Sequence, residues 1–269
     1  MQHPMNLINQ KRGRLDLLEA LTRKASSLFS LAHSAVAVLQ DGVNPRSMKY
    51  RERLYYLQLQ KALNWKKDLV VYDIGANIGS FATLVAKLPS VSTVYCFEPL
   101  PYVFADLKKR TETFGKIRCF QVGLADRSGT ILMNSNESSP SSSMLPLGAL
   151  HATEFPLAKK THTVEVQITT MSEAVLRYGL ATPDFIKADV QGFEDRVIRS
   201  GLEVVRKAKY CMLELSLVSL YQDSVLITPM NEFMRSLGFR LVNIVHHIIG
   251  VSGEIVQIDG LFENNDIQG

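Results

Sequence analysis

The sequence predicts an α/β domain built on a seven-stranded, mostly parallel sheet, closed by an antiparallel C-terminal hairpin and preceded by a helical extension. Three observations carry this. From Asp68 onward, short apolar runs alternate with helical patterns, as in a sheet covered on both faces. The runs are almost wholly apolar rather than alternating, which marks strands buried on both sides. The first run passes directly into a glycine-rich turn, Asp73-Ile74-Gly75-Ala76-Asn77-Ile78-Gly79, and then into a helix.

At the N-terminus, Leu18, Leu21, Ala25, Leu28, Ala32, Ala35 and Leu39 recur at three- and four-residue steps, predicting one or two amphipathic helices over 14–40 that end near Asp41-Gly42. Their polar face is basic. Packing on the domain or on a second copy, giving a homodimer, is expected ahead of peripheral contact with an anionic membrane, because the apolar face is part alanine and lacks Trp. Pro45 breaks the pattern, and 48–67 continues as a second basic helix with Leu54, Leu57 and Ala62 on one side.

The strand runs are Leu69–Ile74, Thr93–Phe97, Ile117–Val122, Phe185–Asp189 and Tyr210–Leu215, with helices at Phe81–Leu88, Tyr102–Phe114, Phe193–Ser200 and Met230–Leu237 between and after them. Arg240–Val245 and Glu254–Phe262, joined through Gly250 and Gly253, read as the closing hairpin. An insertion lies between the third and fourth strands. Thr130–Met133 and Thr163–Ile168 are expected to pair, with the serine-rich stretch Asn134–His162 as a long loop, either a solvated insertion or a lid.

Charge divides the chain at the same place. Residues 1–68 hold 12 Lys/Arg against 5 Asp/Glu, while 69–269 hold 18 against 21, a net +7 followed by −3. The expected organisation is a basic extension, 1–67, and a catalytic domain, 68–269. A body that is slightly acidic, without basic residues interleaved with aromatics, argues against a nucleic-acid partner. Cys96, Cys119 and Cys211 are an odd set without short spacing, which fits neither a disulfide framework nor a zinc site. Leu28–Leu39 is too short to span a bilayer, so no transmembrane segment and a cytoplasmic location with reduced thiols are expected.

The turn after the first strand is a nucleotide-type site. Gly75 and Gly79 permit a tight turn and close approach of a ligand, and the first amides of the following helix attract an anion. A dinucleotide fold would present Gly-x-Gly-x-x-Gly to a diphosphate, which the carboxylate of Asp73 would repel. That carboxylate suits an ammonium, such as the methionyl amine of S-adenosylmethionine. Glu98 ends the second strand in Phe97-Glu98-Pro99, where an acid can take both hydroxyls of a ribose.

Asp73-Ile-Gly-Ala-Asn-Ile-Gly79, Phe97-Glu98-Pro99, Gly123-Leu124-Ala125-Asp126, Ile186-Lys187-Ala188-Asp189-Val190-Gln191-Gly192-Phe193-Glu194, Leu213-Glu214-Leu215 and Asp259-Gly260-Leu261-Phe262 together resemble the FkbM-type S-adenosylmethionine-dependent methyltransferases, over about 69–263. The resemblance implies a class I, Rossmann-like methyltransferase fold and O-methylation of a sugar, glycan or other small natural product. It places Asp73, Gly75, Ala76, Asn77 and Gly79 around the methionyl end, Phe97, Glu98 and Pro99 at the ribose, and Leu124, Ala125 and Asp126 near the adenine.

Asp189, at the tip of the fourth strand, is then the first candidate for a base that takes the acceptor proton; the other reading has it bind the amides of the Gln191-Gly192 turn. Glu214 either holds the acceptor hydroxyl or joins Asp189 around a divalent cation, although two carboxylates alone make a poor cage and no metal is assigned. His247, beside His246, is a second candidate base. Tyr221 is placed on the acceptor pocket. Two other classes stay open: a nicotinamide-dependent oxidoreductase, opposed by the missing second glycine, and a non-catalytic scaffold for a membrane or partner, opposed by the intact acids.

Overall fold

A computed structural model describes residues 50–136 and 161–267. The helices expected over 14–40 and the serine-rich stretch from 137 to 160 lie outside the described residues. The chain divides into two compact units, Met1–Leu57 and Gln58–Gly269.

In order, the elements are α1 (Tyr50–Leu63), β1 (Leu69–Ile74), α2 (Ser80–Ala86), β2 (Val91–Phe97), α3 (Pro101–Thr111), β3 (Ile117–Phe120), β4 (Gly123–Leu124), β5 (Gly129–Asn136), β6 (Thr161–Thr169), α4 (Met171–Tyr178), β7 (Phe185–Ala188), α5 (Glu194–Arg199), α6 (Leu202–Val205), β8 (Tyr210–Ser216), α7 (Ile227–Ser236), β9 (Phe239–Ile249) and β10 (Ile255–Asn264). The main sheet has seven strands in the order β3-β2-β1-β7-β8-β10-β9. Its first five strands run parallel, and β10 enters antiparallel between β8 and β9. This is the class I methyltransferase arrangement that the motifs implied.

Apolar residues occupy both faces, as the unbroken runs require. Tyr72, Ile74, Ile186, Ala188, Leu213 and Leu215 share one buried cluster with Met171, Val197, Met230 and Met234 of the helices that follow β6. Each Ile, Leu, Val or Met side chain among these contributes roughly 1.5–3 kcal/mol by leaving water. On the other face, Phe81 of α2 stacks on Phe185 with ring centroids 5.9 Å apart. There too, Lys61 of α1 reaches Glu263 at 3.1 Å, and the Asn243 amide donates to the Gln58 carbonyl.

The elements depart from expectation in three places. The third strand stops at Phe120 instead of Val122, because the chain leaves the main sheet there: Gly123 and Leu124 pair in parallel with Ile168 and Thr169 in a separate three-stranded sheet, β4-β6-β5. The hairpin expected at Thr130–Met133 and Thr163–Ile168 is present and longer, with Asn136 opposite Thr161. Helix α4 was not expected. Its signals were local, with the Thr170 hydroxyl accepting from the Glu173 amide at 3.1 Å and Gly179 ending the helix at φ 60°.

Candidate active site

The strand order reverses direction between β1 and β7, and the crevice at the carboxyl ends of those strands is where open α/β sheets bind ligands. The two strand tips meet tightly. The Asp189 amide donates to the Ile74 carbonyl at 3.0 Å, and a Cβ on Gly75, at φ +73°, would stand 1.9 Å from the Asp189 carbonyl oxygen. Gly75 is therefore required first by the neighbouring strand. Gly79 likewise makes room for Leu107, which a Cβ would meet at 2.7 Å.

Asp73 is fully buried at the end of β1, and neither carboxylate oxygen has a hydrogen-bond partner of good geometry. Burial raises its pKa and Asp189 adds to this, while the Lys187 ammonium, 3.5 Å from Oδ1, draws it down. One strand away, Glu98 ties two turns together: its Oε2 accepts from the Asn77 amide and its Oε1 from the Leu100 amide, both at 3.0 Å. Asn77 reaches that position at φ 49°. Each carboxylate oxygen keeps a second lone pair for a further donor. The Gly75 and Ala76 amides both donate to the Phe97 carbonyl at 3.0 Å, and the Phe97 ring stacks on Phe120. Pro99 lies against Gly123. Leu124 and Ala125 are buried, with the Ala125 amide donating to the Thr169 carbonyl, whereas Asp126 is exposed and paired with Arg127.

On the other side of the crevice, Asp189 is the accessible acid, its side chain 34% exposed. Lys187 Nζ lies 3.2 Å from its Oδ2, and Gln191 Nε2 lies 3.0 Å from its Oδ1. The amides of the following turn are held by another residue: Val190 donates to Glu194 Oε1 at 2.9 Å and Gly192 to Oε2 at 3.1 Å. Asp189 thus does not serve the turn, and one of its two expected roles passes to Glu194. Gln191 Nε2 also donates to Glu214 Oε2 at 2.9 Å, so an amide stands between the two carboxylates where a shared cation would have to sit. Among the described residues, no group of three or more His, Cys, Asp or Glu is arranged to hold a metal ion.

Burial raises the pKa of Glu214 well above the usual carboxylate range, and the charges of Asp189, Glu194 and Asp259 push it the same way. Tyr221 is 1% exposed, and its hydroxyl donates to Gln191 Oε1. It lies under the turn instead of on a pocket wall, and its reach into the crevice is through Gln191. His247 is exposed on edge strand β9 and pairs through Ile258 with Leu215, so it faces away from Glu214; the neighbouring His246, opposite Asp259, is on the Glu214 face.

Lys187, Gln191 and Glu194 join these acids in the crevice, and their motif alone gave them no role. The signal for Lys187 was available: a lysine inside an otherwise apolar strand is retained when acids pair with it.

The model of the Methyltransferase FkbM domain matches residues 73–241, more than half of the chain. The chain belongs to the FkbM methyltransferase family. A curated relative, 2-O-methyltransferase NoeI of Sinorhizobium fredii, is 27% identical over 197 residues, covering 71% of this chain and 79% of its own. Hexuronic acid methyltransferase AglP of Haloferax volcanii is 26% identical over 177 residues, covering 63% of this chain and 64% of its own. The solved methyltransferase FkbM from Methylobacillus flagellatus aligns with a TM-score of 0.47 at 14% identity, over 73% of this chain and 43% of that one.

The FkbM methyl donor, S-adenosylmethionine, fits the residues present. The buried, unsatisfied Asp73 suits its ammonium, Glu98 retains acceptor capacity for a ribose diol, and Leu124 and Ala125 give an apolar neighbourhood for a base. Burial lifts Glu98 from 4.5 to about 7. Between those values the folded chain binds more protons than the unfolded one, so this residue's stabilising contribution falls as pH rises and levels off above about 7. The stability difference between wild type and Glu98→Gln, from urea midpoints at about pH 5 and about pH 8, is expected to move against the wild type at the higher pH. S-adenosylhomocysteine affinity is expected to rise more over the same interval in the wild type than in Glu98→Gln, because the ionised carboxylate is the stronger acceptor.

Proposed function

We propose that the chain transfers a methyl group from S-adenosylmethionine to a hydroxyl oxygen of a sugar, glycan or other small natural product, with Asp189 as the general base. Residues 68–269 are the catalytic domain in this reading and 1–67 a basic extension. The observation that carries it is the pairing of a buried acid for the cofactor, Asp73, with an accessible acid, Asp189, through one lysine. The sulfonium donor supplies an electrophilic methyl carbon. The protein's part is to align the acceptor oxygen with it and to remove the hydroxyl proton.

Lys187 Nζ donates to Asp189 Oδ2, and Glu194 holds the 190–192 turn so that the Asp189 side chain stays directed at the crevice. Gln191 fixes Asp189 and Glu214 in one arrangement, with Tyr221 fixing Gln191. The names of the curated relatives, one a 2-O-methyltransferase and one acting on a hexuronic acid, support a sugar hydroxyl as the acceptor.

Calorimetric titration with S-adenosylhomocysteine, followed by labelled methyl transfer to a panel of sugars, lipids and peptides, tests the reading. Binding by the wild type, weakened in Glu98→Ala, and label on a hydroxyl oxygen are expected. A wild type that does not bind S-adenosylhomocysteine would overturn it.

A further inference from the structure

The polar character of the crevice continues outward along one face of the sheet. On β8 and β10, Glu214 stands opposite Asp259 and Ser216 opposite Gln257, and Asp259 in turn faces His246 on β9. Residues in register share a face, and so do residues two apart on a strand. Glu214, Ser216, Gln257 and Asp259 therefore form one contiguous patch at the carboxyl end of β8, next to Asp189. A sheet face at this depth is ordinarily apolar. The row below the patch reads Met212 and Leu261, and the opposite face of the same strands reads Leu215, Val256 and Ile258.

Gln257 is 3% exposed, and its Nε2 has no hydrogen-bond partner. A buried donor left unmade is costly, and native proteins keep one where something other than the chain completes it. This patch is thus more than a group of acids: it contains a buried amide that still has a bond to give.

We propose that Glu214, Ser216, Gln257 and Asp259 form the acceptor subsite, and that it takes a neutral sugar ring by neighbouring hydroxyls. The inference rests on the transfer reading above and names the acceptor class for that same site. A hydroxyl both donates and accepts. One hydroxyl accepts from Gln257 Nε2 while its neighbour donates to the Asp259 carboxylate, and the Ser216 hydroxyl serves in either sense. Burial and the neighbouring acids raise the pKa of Glu214, which favours the protonated carboxyl, the form that can donate. A sugar carboxylate has no proton to give at neutral pH and would approach the charges of Asp189 and Asp259. The subsite therefore discriminates against a hexuronic acid, the acceptor named for the haloarchaeal relative.

The test uses the full-length chain saturated with S-adenosylhomocysteine and pairs of methyl glycosides that differ only in a primary alcohol or a carboxylate at the same carbon. Binding is followed by saturation-transfer NMR, and transfer by labelled S-adenosylmethionine. Neutral members are expected to bind at least about tenfold more tightly than their uronates. Gln257→Leu is expected to raise KM for a neutral acceptor about tenfold, the loss of one hydrogen bond, with kcat and S-adenosylhomocysteine affinity retained. The same variant is expected to melt no lower than the wild type, since it removes an unsatisfied buried amide. Asp259→Asn is expected to narrow the preference for neutral acceptors.

Preference for the uronates, variants with unchanged KM and selectivity, or no saccharide binding to a chain that holds S-adenosylhomocysteine would each overturn the subsite while leaving the methyltransferase reading in place. Failure to bind S-adenosylhomocysteine would overturn that reading and the subsite with it.

Discussion

Asp189→Asn is expected to lower kcat by about 10²–10⁴, the usual worth of a positioned base, while changing S-adenosylhomocysteine affinity by no more than about twofold. The substitution keeps the side chain's shape and an oxygen for the Gln191 amide, and it removes the charge that faces Lys187. Lys187 then stays 3.5 Å from Asp73 Oδ1, so its lowering effect on the Asp73 pKa is kept on the cofactor side. Cofactor binding and turnover therefore separate in this variant. The check is single-turnover transfer at saturating S-adenosylmethionine beside calorimetric binding of S-adenosylhomocysteine. Turnover near the wild-type rate would remove Asp189 from the role of base and leave it as a partner of Lys187.

The largest effect on stability is expected at Gly75. Alanine there would have to keep φ near +73° with its Cβ 1.9 Å from the Asp189 carbonyl oxygen, a backbone atom that can move only if β7 moves. A left-handed conformation alone costs an L-residue roughly 1–2 kcal/mol, and relieving the collision adds at least as much again. Gly75→Ala is expected to lose about 3 kcal/mol or more, lowering the melting temperature by roughly 6–12 °C or preventing folding. Gly115→Ala is the control: a Cβ there meets nothing within 4 Å and the backbone is not left-handed, so a change within about 0.5 kcal/mol is expected. Equal melting temperatures for the two variants would show that β1 and β7 leave room for a Cβ at position 75. A soluble Gly75→Ala protein should also lose transfer activity, since a shift of the Asp189 backbone carries the proposed base with it.

These effects fall where the sequence was least explicit. The glycines of the 73–79 turn were legible as a turn, and the acids at 73 and 98 as candidates for cofactor contact, because an acid at a strand tip followed by glycines is a local pattern. The reason for Gly75 was not legible: its constraint comes from residue 189, more than a hundred positions away. Asp189 stood out as a strand-tip acid, but nothing near it in the chain decided between base and turn-holder. That choice belongs to Glu194, which reaches back to the Val190 and Gly192 amides. His247 and Tyr221 were placed by residue type. Strand register turns the first away from the Glu214 face, and burial puts the second beneath Gln191.

The sequence by itself determined the succession of strands and helices, the apolar character of both sheet faces, the class of cofactor and the strand-tip acids proposed to serve it, because periodicity, turn chemistry and strand-tip position are carried within a dozen or so neighbouring residues. Only the tertiary structure decided which acids share Lys187, which residue holds the catalytic turn, and that Glu214, Ser216, Gln257 and Asp259 make one patch. Those facts depend on strand order and register. With a side-chain period of two, a shift of one residue in pairing would send each of these groups to the other face of the sheet, and no local stretch of sequence specifies that shift.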